Sequence, residues 1–158
     1  MQLLRARELL MQRFRPQLNA RGLTEQQWRV MRSLSEVEAI SNQQLSDRCV
    51  LHPASLSRIL PNLESEGLVA RRASESDRRH LQVYLTEKGR NLVETLIPEN
   101  DRLFAAIVEE IGEDVVNGAY NALEMLNAAF ERNVERSIMT TPPEVRRKGA
   151  RSRAPLDS

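Results

Sequence analysis

Apolar residues recur at helical spacing through most of this chain and alternate with polar ones in one short stretch. Leu4, Met11, Phe14 and Leu18 share a face over about Gln2 to Ala20, with Arg5, Arg7, Arg13 and Arg15 on the other faces. Pro16 lies inside this helix and is expected to bend or interrupt it, and Gly22 breaks the pattern. Thr24-Glu25-Gln26-Gln27 reads as a capping box, with Thr24 as cap and Gln27 reaching back, opening a helix through Leu34 that buries Trp28, Met31 and Leu34. Ser41-Asn42-Gln43-Gln44 is a second capping box. It opens a short helix from Asn42 to Val50, anchored by Leu45 and Cys49. Leu51 and His52 form a turn, and Pro53 suits a first helical position, where its missing N–H costs nothing. The next helix runs to about Glu66 with Leu56, Ile59, Leu60 and Leu63 as its buried stripe, and Gly67 stops it.

The alternating stretch follows. Leu68 to Arg72 reads as a strand, Ala73 to Arg79 as a turn, and Leu81 to Leu85 as the returning strand. Leu81, Val83 and Leu85 fall on one face of that strand, Gln82 and Tyr84 on the other. Thr86 caps a further helix that extends to about Glu110 and carries Pro98 as a kink. Gly112 separates it from a last helix, Glu113 to about Arg136. Its apolar face is Val116, Tyr120, Leu123, Leu126 or Asn127, Phe130 and Val134. Beyond Thr140 the chain turns to Pro142, Pro143, Arg146, Arg147, Lys148, Arg151 and Arg153, a composition expected to be disordered.

Composition narrows the function classes. The formal net charge is only +1, so a nucleic-acid surface must come from local placement of arginine and not from bulk charge. Arginine dominates over lysine, which suits bidentate contacts to phosphate and guanine. The single cysteine, Cys49, allows no internal disulfide and fits a reducing cytoplasm. No apolar run is long enough for a bilayer and no signal-peptide core is present, so a cytoplasmic protein without a membrane partner is expected. His52 and His80 are the only histidines. No metal-ligand spacing, phosphate loop or nucleophile motif accompanies them, so neither catalysis nor a cofactor is expected.

Two short helices joined by a tight turn, followed by strand–turn–strand, form a winged helix-turn-helix pattern. The fold class is therefore all-α with a small β-ribbon (α+β). The second helix would lead into the major groove with its N-terminal end. Its exposed face carries Pro53, Ala54, Ser55, Ser57, Arg58 and Asn62, small residues for close approach and one arginine long enough for a guanine or a phosphate. In the wing, Arg78 and Arg79 suit minor-groove or phosphate contact, and Asp77 can hold one guanidinium in place. Taken singly, the helix is also what any capped solvated helix looks like, and the wing any charged turn.

These residues resemble a known family. Leu68-Val69, Asp77-x-Arg79 and Val83-x-Leu85-Thr86-x-x-Gly89 are similar to the wing signature of the MarR family of bacterial transcription regulators, over about Gln2 to Val134. Ala6-Arg7-Glu8, Phe14-Arg15-Pro16, Leu23 to Val30 and Cys49-Val50-Leu51-x-Pro53 resemble the subgroup that regulates homoprotocatechuate (3,4-dihydroxyphenylacetate) degradation operons. The chain departs from that subgroup at His52, where arginine is usual. It departs again at Pro61, which removes a backbone bond to the Ser57 carbonyl inside the recognition helix, typically costing ~3 kcal/mol.

The resemblance implies one domain over residues 1–137, its DNA-binding part about 38–89 and its dimerisation helices about 2–20 and 90–137, with a disordered basic tail over 138–158. It implies a homodimer that presents two recognition helices to double-stranded operator DNA. It further implies a small phenolic carboxylate ligand in a cleft beside the winged helix. Arg15 with Trp28, walled by Phe14, and with Arg7 or His52 as further groups, is the expected ligand set; Arg13, Arg29 and Arg32 are other cations on the same two helices. The function so implied is a repressor of an aromatic-acid (homoprotocatechuate or 4-hydroxyphenylacetate) catabolic operon, released by its ligand. Two other functions fit the residues: a redox-responsive repressor acting through Cys49, and a DNA-binding protein with no small ligand, assisted by its basic tail.

Overall fold

The computed structural model describes residues 1–73 and 81–140, the last eight of these as backbone only. Six helices and three short strands follow one another among these residues: α1 (Gln2–Asn19), α2 (Glu25–Leu34), β1 (Ile40–Ser41), α3 (Asn42–Cys49), α4 (Pro53–Ser65), β2 (Val69–Ala73), β3 (Leu81–Leu85), α5 (Glu87–Ile111) and α6 (Glu113–Thr140). Both capping boxes form. The Gln27 amide donates to Thr24 Oγ1 at 3.2 Å while Thr24 N–H donates to Gln27 Oε1 at 2.8 Å, and Ser41 and Gln44 repeat the exchange. Each box satisfies two N–H groups that a helix start otherwise leaves without partners.

Three prolines fall inside helices, and none divides its helix: Pro16 in α1, Pro61 in α4 and Pro98 in α5. All three are exposed. Gln12, Ser57 and Glu94, whose carbonyls lose the N–H partner that a residue other than proline would supply, are exposed as well. The interruption expected at Pro16 therefore does not occur, and Pro61 leaves α4 continuous behind its first turn.

The strands make a three-stranded antiparallel sheet in the order β1-β3-β2, with Val69 opposite Leu85, Arg71 opposite Val83 and Ile40 opposite Val83. β1 is absent from the sequence reading. Two residues cannot show alternation, and Ile40 becomes a strand only because Val83 pairs with it. On the shared face of β3, Val83 and Leu85 are buried while Leu81 is 53% exposed. It sits at the wing end of the ribbon, beyond the helices that cover the other two.

Contacts divide the chain into two compact units, residues 1–106 and 107–158. In the first, one core joins Leu18, Leu23, Val30, Met31 and Leu34 to Leu45, Cys49, Leu56, Leu60 and Leu63, and to Leu68, Val83, Leu85, Val93 and Leu96. The predicted stripes of α2, α3 and α4 all point into it. The second unit, as far as it is described, holds the end of α5, the Gly112 joint and α6. Its apolar face does not close: Tyr120, Leu123, Leu126 and Phe130 are exposed, as are Leu3, Leu4, Leu9 and Leu10 of α1. The α6 helix runs to Thr140, so the first three residues assigned to the tail are helical, and the rest of the tail lies outside the described residues.

The junction of α4, the ribbon and α5 is the tightest point of the fold. Gly67, at φ 69°, ends α4 by letting Leu68 N–H bond the Leu63 carbonyl at 2.9 Å. The Leu68 carbonyl then accepts from Thr86 N–H at 3.1 Å, while the Thr86 hydroxyl donates to the Gly67 carbonyl at 2.7 Å, with the Leu68 oxygen a longer alternative at 3.2 Å, and accepts from Gly89 N–H at 3.1 Å. A Cβ on Gly89 would stand 2.0 Å from the Leu68 oxygen. Only glycine lets the first turn of α5 lie against that peptide. Gly89→Ala is expected to destabilise the protein by about 1–3 kcal/mol, the usual cost of overpacking, despite alanine's better helix propensity. Urea unfolding at fixed protein concentration measures it.

Candidate functional site

The turn between α3 and α4 is built from its own polar groups. Val50 ends α3 in the left-handed region, φ 50° and ψ 48°, a conformation that β-branched residues rarely adopt. It is held there by Leu51 N–H donating to the Ser46 carbonyl at 3.0 Å and by Ser46 Oγ donating back to the Leu51 carbonyl at 2.6 Å. Ser46 is accordingly one of two buried polar residues among those described. His52 then caps α4: its Nδ1 accepts from the Ala54 N–H at 3.2 Å, and Pro53 takes the first helical position. His52 is thus occupied in starting the recognition helix.

On α4 the buried stripe faces the core, and the opposite side carries Ala54, Ser57, Arg58 and Asn62, all exposed, with Ser55 half-buried. Ser55, Arg58 and Asn62 border a shallow recess of about 280 Å³ whose far side is Thr24, Gln26 and Gln27 at the start of α2. Pro53, Ala54, Ser55, Ser57, Arg58 and Asn62 therefore form one accessible surface of small side chains around a single guanidinium. Asp77, Arg78 and Arg79 lie outside the described residues. The two strands that carry the wing are tied to the body by Arg71 to Glu64 (3.1 Å) and Arg72 to Glu38 (2.7 Å), with the Arg72 guanidinium also 5.4 Å from the Tyr84 ring centre. The Arg72 hydrogen bond holds the Glu38 carboxyl below its ordinary pKa.

A second concavity, about 310 Å³, opens between α1, α2 and α5. Met11, Phe14 and Leu18 line it from α1; Glu25, Trp28, Arg29, Arg32 and Ser33 from α2; Asn100 from α5. Two of the expected ligand residues, Phe14 and Trp28, are on this wall. Trp28 is half-buried: it packs against the core, as its place in the apolar stripe suggested, and also lines the cavity. Arg29 donates to the Cys49 carbonyl at 3.3 Å, and Arg32 sits at the rim within 3.3 Å of Glu36. Asn100 accepts from Gln17 and donates to the Leu96 carbonyl at 2.9 Å. The sequence signal for Arg32 was available: it lies one helical turn after Trp28 and so shares its face. Asn100 had none, since it comes from a distant helix.

Arg15, Arg7 and His52 are not on that wall. Arg15 is clamped by two carboxylates, Glu8 through paired bonds of 2.6 and 2.7 Å and Glu25 at 2.5 Å, and Arg7 reaches the other Glu25 oxygen at 2.6 Å. These guanidiniums neutralise the one acidic group in the cavity wall. The cations left on the wall are Arg29, whose bond goes to the neutral Cys49 carbonyl, and Arg32, which shares the Glu36 carboxylate with Arg48; this excess of guanidinium favours an anion. Arg15 is pushed further up in pKa by Glu8 and Glu25. Its hydrogen bonds, and secondarily its charge, draw the Glu8 carboxyl down from the ordinary 4.5 to about 2.

Because Glu8 is depressed in the folded state, its contribution to stability is complete above pH ~4.5 and disappears as pH falls through about 2. The stability difference between wild type and Glu8→Gln, followed by thermal unfolding, is expected to shrink across that window and to weaken with added salt. Cys49 behaves oppositely to a redox thiol. It is 1% exposed, and burial pushes its pKa up against a hydrogen bond from Ser33 and the charges of Arg29 and Arg48. A thiol reagent should label it only as fast as the protein unfolds; rapid stoichiometric labelling of the native protein would contradict this placement.

Among the described residues no helix is long and apolar enough to cross a membrane. The MarR family model matches residues 23–81, from the end of the α1–α2 turn to the first residue of β3. The HTH-type transcriptional regulator FarR of Neisseria gonorrhoeae is 42% identical over 113 residues, 71% of this chain and 77% of its own. The homoprotocatechuate degradative operon repressor of Escherichia coli is 42% identical over 108 residues, 66% of this chain and 72% of its own. The crystal structure of NadR in complex with 4-hydroxyphenylacetate superposes with a TM-score of 0.72 at 35% identity, covering 84% of this chain and 96% of that one. A helix-turn-helix with an accessible α4, a ribbon set beside it and relatives that are themselves transcription regulators lead to one conclusion: this chain belongs to the MarR family of transcriptional regulators.

Proposed function

We propose that this regulator represses an aromatic-acid catabolic operon and is released from its operator when a phenylacetate-type phenolic acid enters the α1–α2–α5 cavity. The observation that carries the reading is the chemistry of that wall: Phe14 and Trp28 for a ring, Arg29 and Arg32 for a carboxylate, Ser33 and Asn100 for hydroxyls. At about 310 Å³ the cavity is near the lower end of ligand sites, which suits a single ring. The NadR structure holds 4-hydroxyphenylacetate, and the Escherichia coli relative is a homoprotocatechuate operon repressor, which supports the same ligand class here.

The regulator acts in the cytoplasm as a homodimer with residues 1–137 as its folded part. The exposed leucines of α1 and the exposed Tyr120, Leu123, Leu126 and Phe130 of α6 make up the apolar area a partner copy would cover. Two copies of α4 enter successive major grooves, with Ser55, Ser57, Arg58 and Asn62 towards the bases and Pro53 and Ala54 allowing close approach. Arg78 and Arg79, steadied by Asp77, reach the backbone or the minor groove, and the basic tail adds phosphate attraction. The ligand works by preferring a spacing of the two α4 helices that does not fit the operator.

Fluorescence anisotropy on DNA from the protein's own upstream region tests this. Specific binding should be lost on adding 4-hydroxyphenylacetate or 3,4-dihydroxyphenylacetate. Arg58→Ala should weaken operator binding by about 1–3 kcal/mol and relax its sequence preference. Arg32→Gln should raise the ligand concentration needed for release by about 10-fold or more, the scale of a lost hydrogen bond to a charged group. Tight operator binding that no phenolic acid disturbs would favour a DNA-binding protein without a small ligand.

A further inference from the structure

Arg29 belongs to two places at once. Its side chain forms part of the cavity wall, and its Nη1 donates to the carbonyl of Cys49, the last residue of α3, at 3.3 Å. The contact is reciprocal, since Cys49 Sγ lies 3.8 Å from the Arg29 carbonyl. Immediately after Cys49 comes Val50 in its left-handed conformation, then Leu51, then the His52 cap of α4. The guanidinium therefore holds the last peptide before the most strained residue of the helix-turn-helix, in a position where a cation also complements the C-terminal end of a helix.

That hold is weak. A bond of 3.3 Å to a neutral carbonyl is long for a guanidinium, whereas a carboxylate inside the cavity would take it at ~2.8 Å with full charge assistance. The two acceptors compete for one guanidinium, and a carboxylate that draws it into the cavity lengthens a Cys49 contact that is already at its limit. Arg32 differs: its direct partners are Glu36 and Ser35, and it reaches α3 only at second hand, through the pair of Glu36 with Arg48, and makes no bond to the Val50 turn.

We propose that Arg29 is the positioning residue through which an anionic occupant of the cavity reaches the recognition helix. Drawn into the cavity, it leaves the Cys49 carbonyl and frees the Val50 turn, and α4 changes its direction. This rests on the ligand reading above.

The experiment measures operator affinity by anisotropy without and with saturating 4-hydroxyphenylacetate, for wild type, Arg29→Gln and Arg32→Gln. Trp28 fluorescence fixes saturation for each, so a weaker ligand affinity does not count. Arg29→Gln is expected to bind 4-hydroxyphenylacetate and yet show operator affinities within about twofold of each other. Arg32→Gln, once saturated, should show the wild-type ratio. An Arg29→Gln protein that keeps the wild-type ratio at saturation overturns the role of Arg29 and leaves the ligand reading standing. Wild-type protein with neither a Trp28 response nor a change in operator affinity overturns both. Should Arg29→Gln fail to fold, Arg29→Lys carries the test: a reduced ratio at saturation supports the role and an unchanged one overturns it.

Discussion

The carbonyl of Leu68 is where this fold is pinned. The end of α4 is turned by Gly67 so that Leu68 closes on Leu63, and the Leu68 oxygen receives the backbone N–H of Thr86 while the Thr86 hydroxyl bonds the Gly67 carbonyl beside it. Gly89 lies flat against the Leu68 carbonyl. Recognition helix, wing strands and the long α5 are thereby set by one residue's backbone. A second tie, Lys88 Nζ to the Glu66 carbonyl at 2.7 Å, covers another carbonyl at the same helix end. The direction of α4 depends on this joint at its C-terminal end and on the Val50 turn at the other.

Rigidity at one end and strain at the other make α4 a lever. Its C-terminal end is held by several short bonds and a sterically closed approach. Its N-terminal end hangs from a β-branched residue in the left-handed region and from a histidine cap. A perturbation of modest free energy acts more easily on the second than on the first, because strain already stored there lowers the cost of leaving it. The cavity lies on the other side of α2 from that turn, with Arg29 and Ser33 touching Cys49.

Charge is deployed with economy over the same region. The chain is almost neutral overall, and most guanidiniums with described partners are committed to carboxylates: Arg7 and Arg15 to Glu8 and Glu25, Arg48 to Glu36, Arg72 to Glu38. What distinguishes the cavity is that its acidic residue, Glu25, is neutralised by Arg7 and Arg15 from outside the wall, while Arg29 and Arg32 line it. What distinguishes α4 is a lone exposed arginine among small residues.

Local signals were enough for the element boundaries. The two capping boxes, Pro53 at a helix start, Gly67 past a helix end and the alternation of Leu81 to Leu85 each act over a few residues, so the sequence alone determined α2, α3, α4, β3 and the stripes of the core. The wing motif marked position 89 as glycine, but the reason, a 2.0 Å approach of any Cβ to the Leu68 oxygen, appears only in three dimensions. Tertiary structure decided whatever depends on partners distant in the chain. Ile40 became a strand by pairing with Val83, and Leu81 lost its cover at the ribbon's end. Trp28 serves both the core and the cavity wall, and Arg15 is taken up by Glu8 and Glu25 away from that wall. Helical periodicity says which side chains share a face. It does not say which opposite charge on another helix will come within reach, and that proximity is what separates a binding arginine from a structural one.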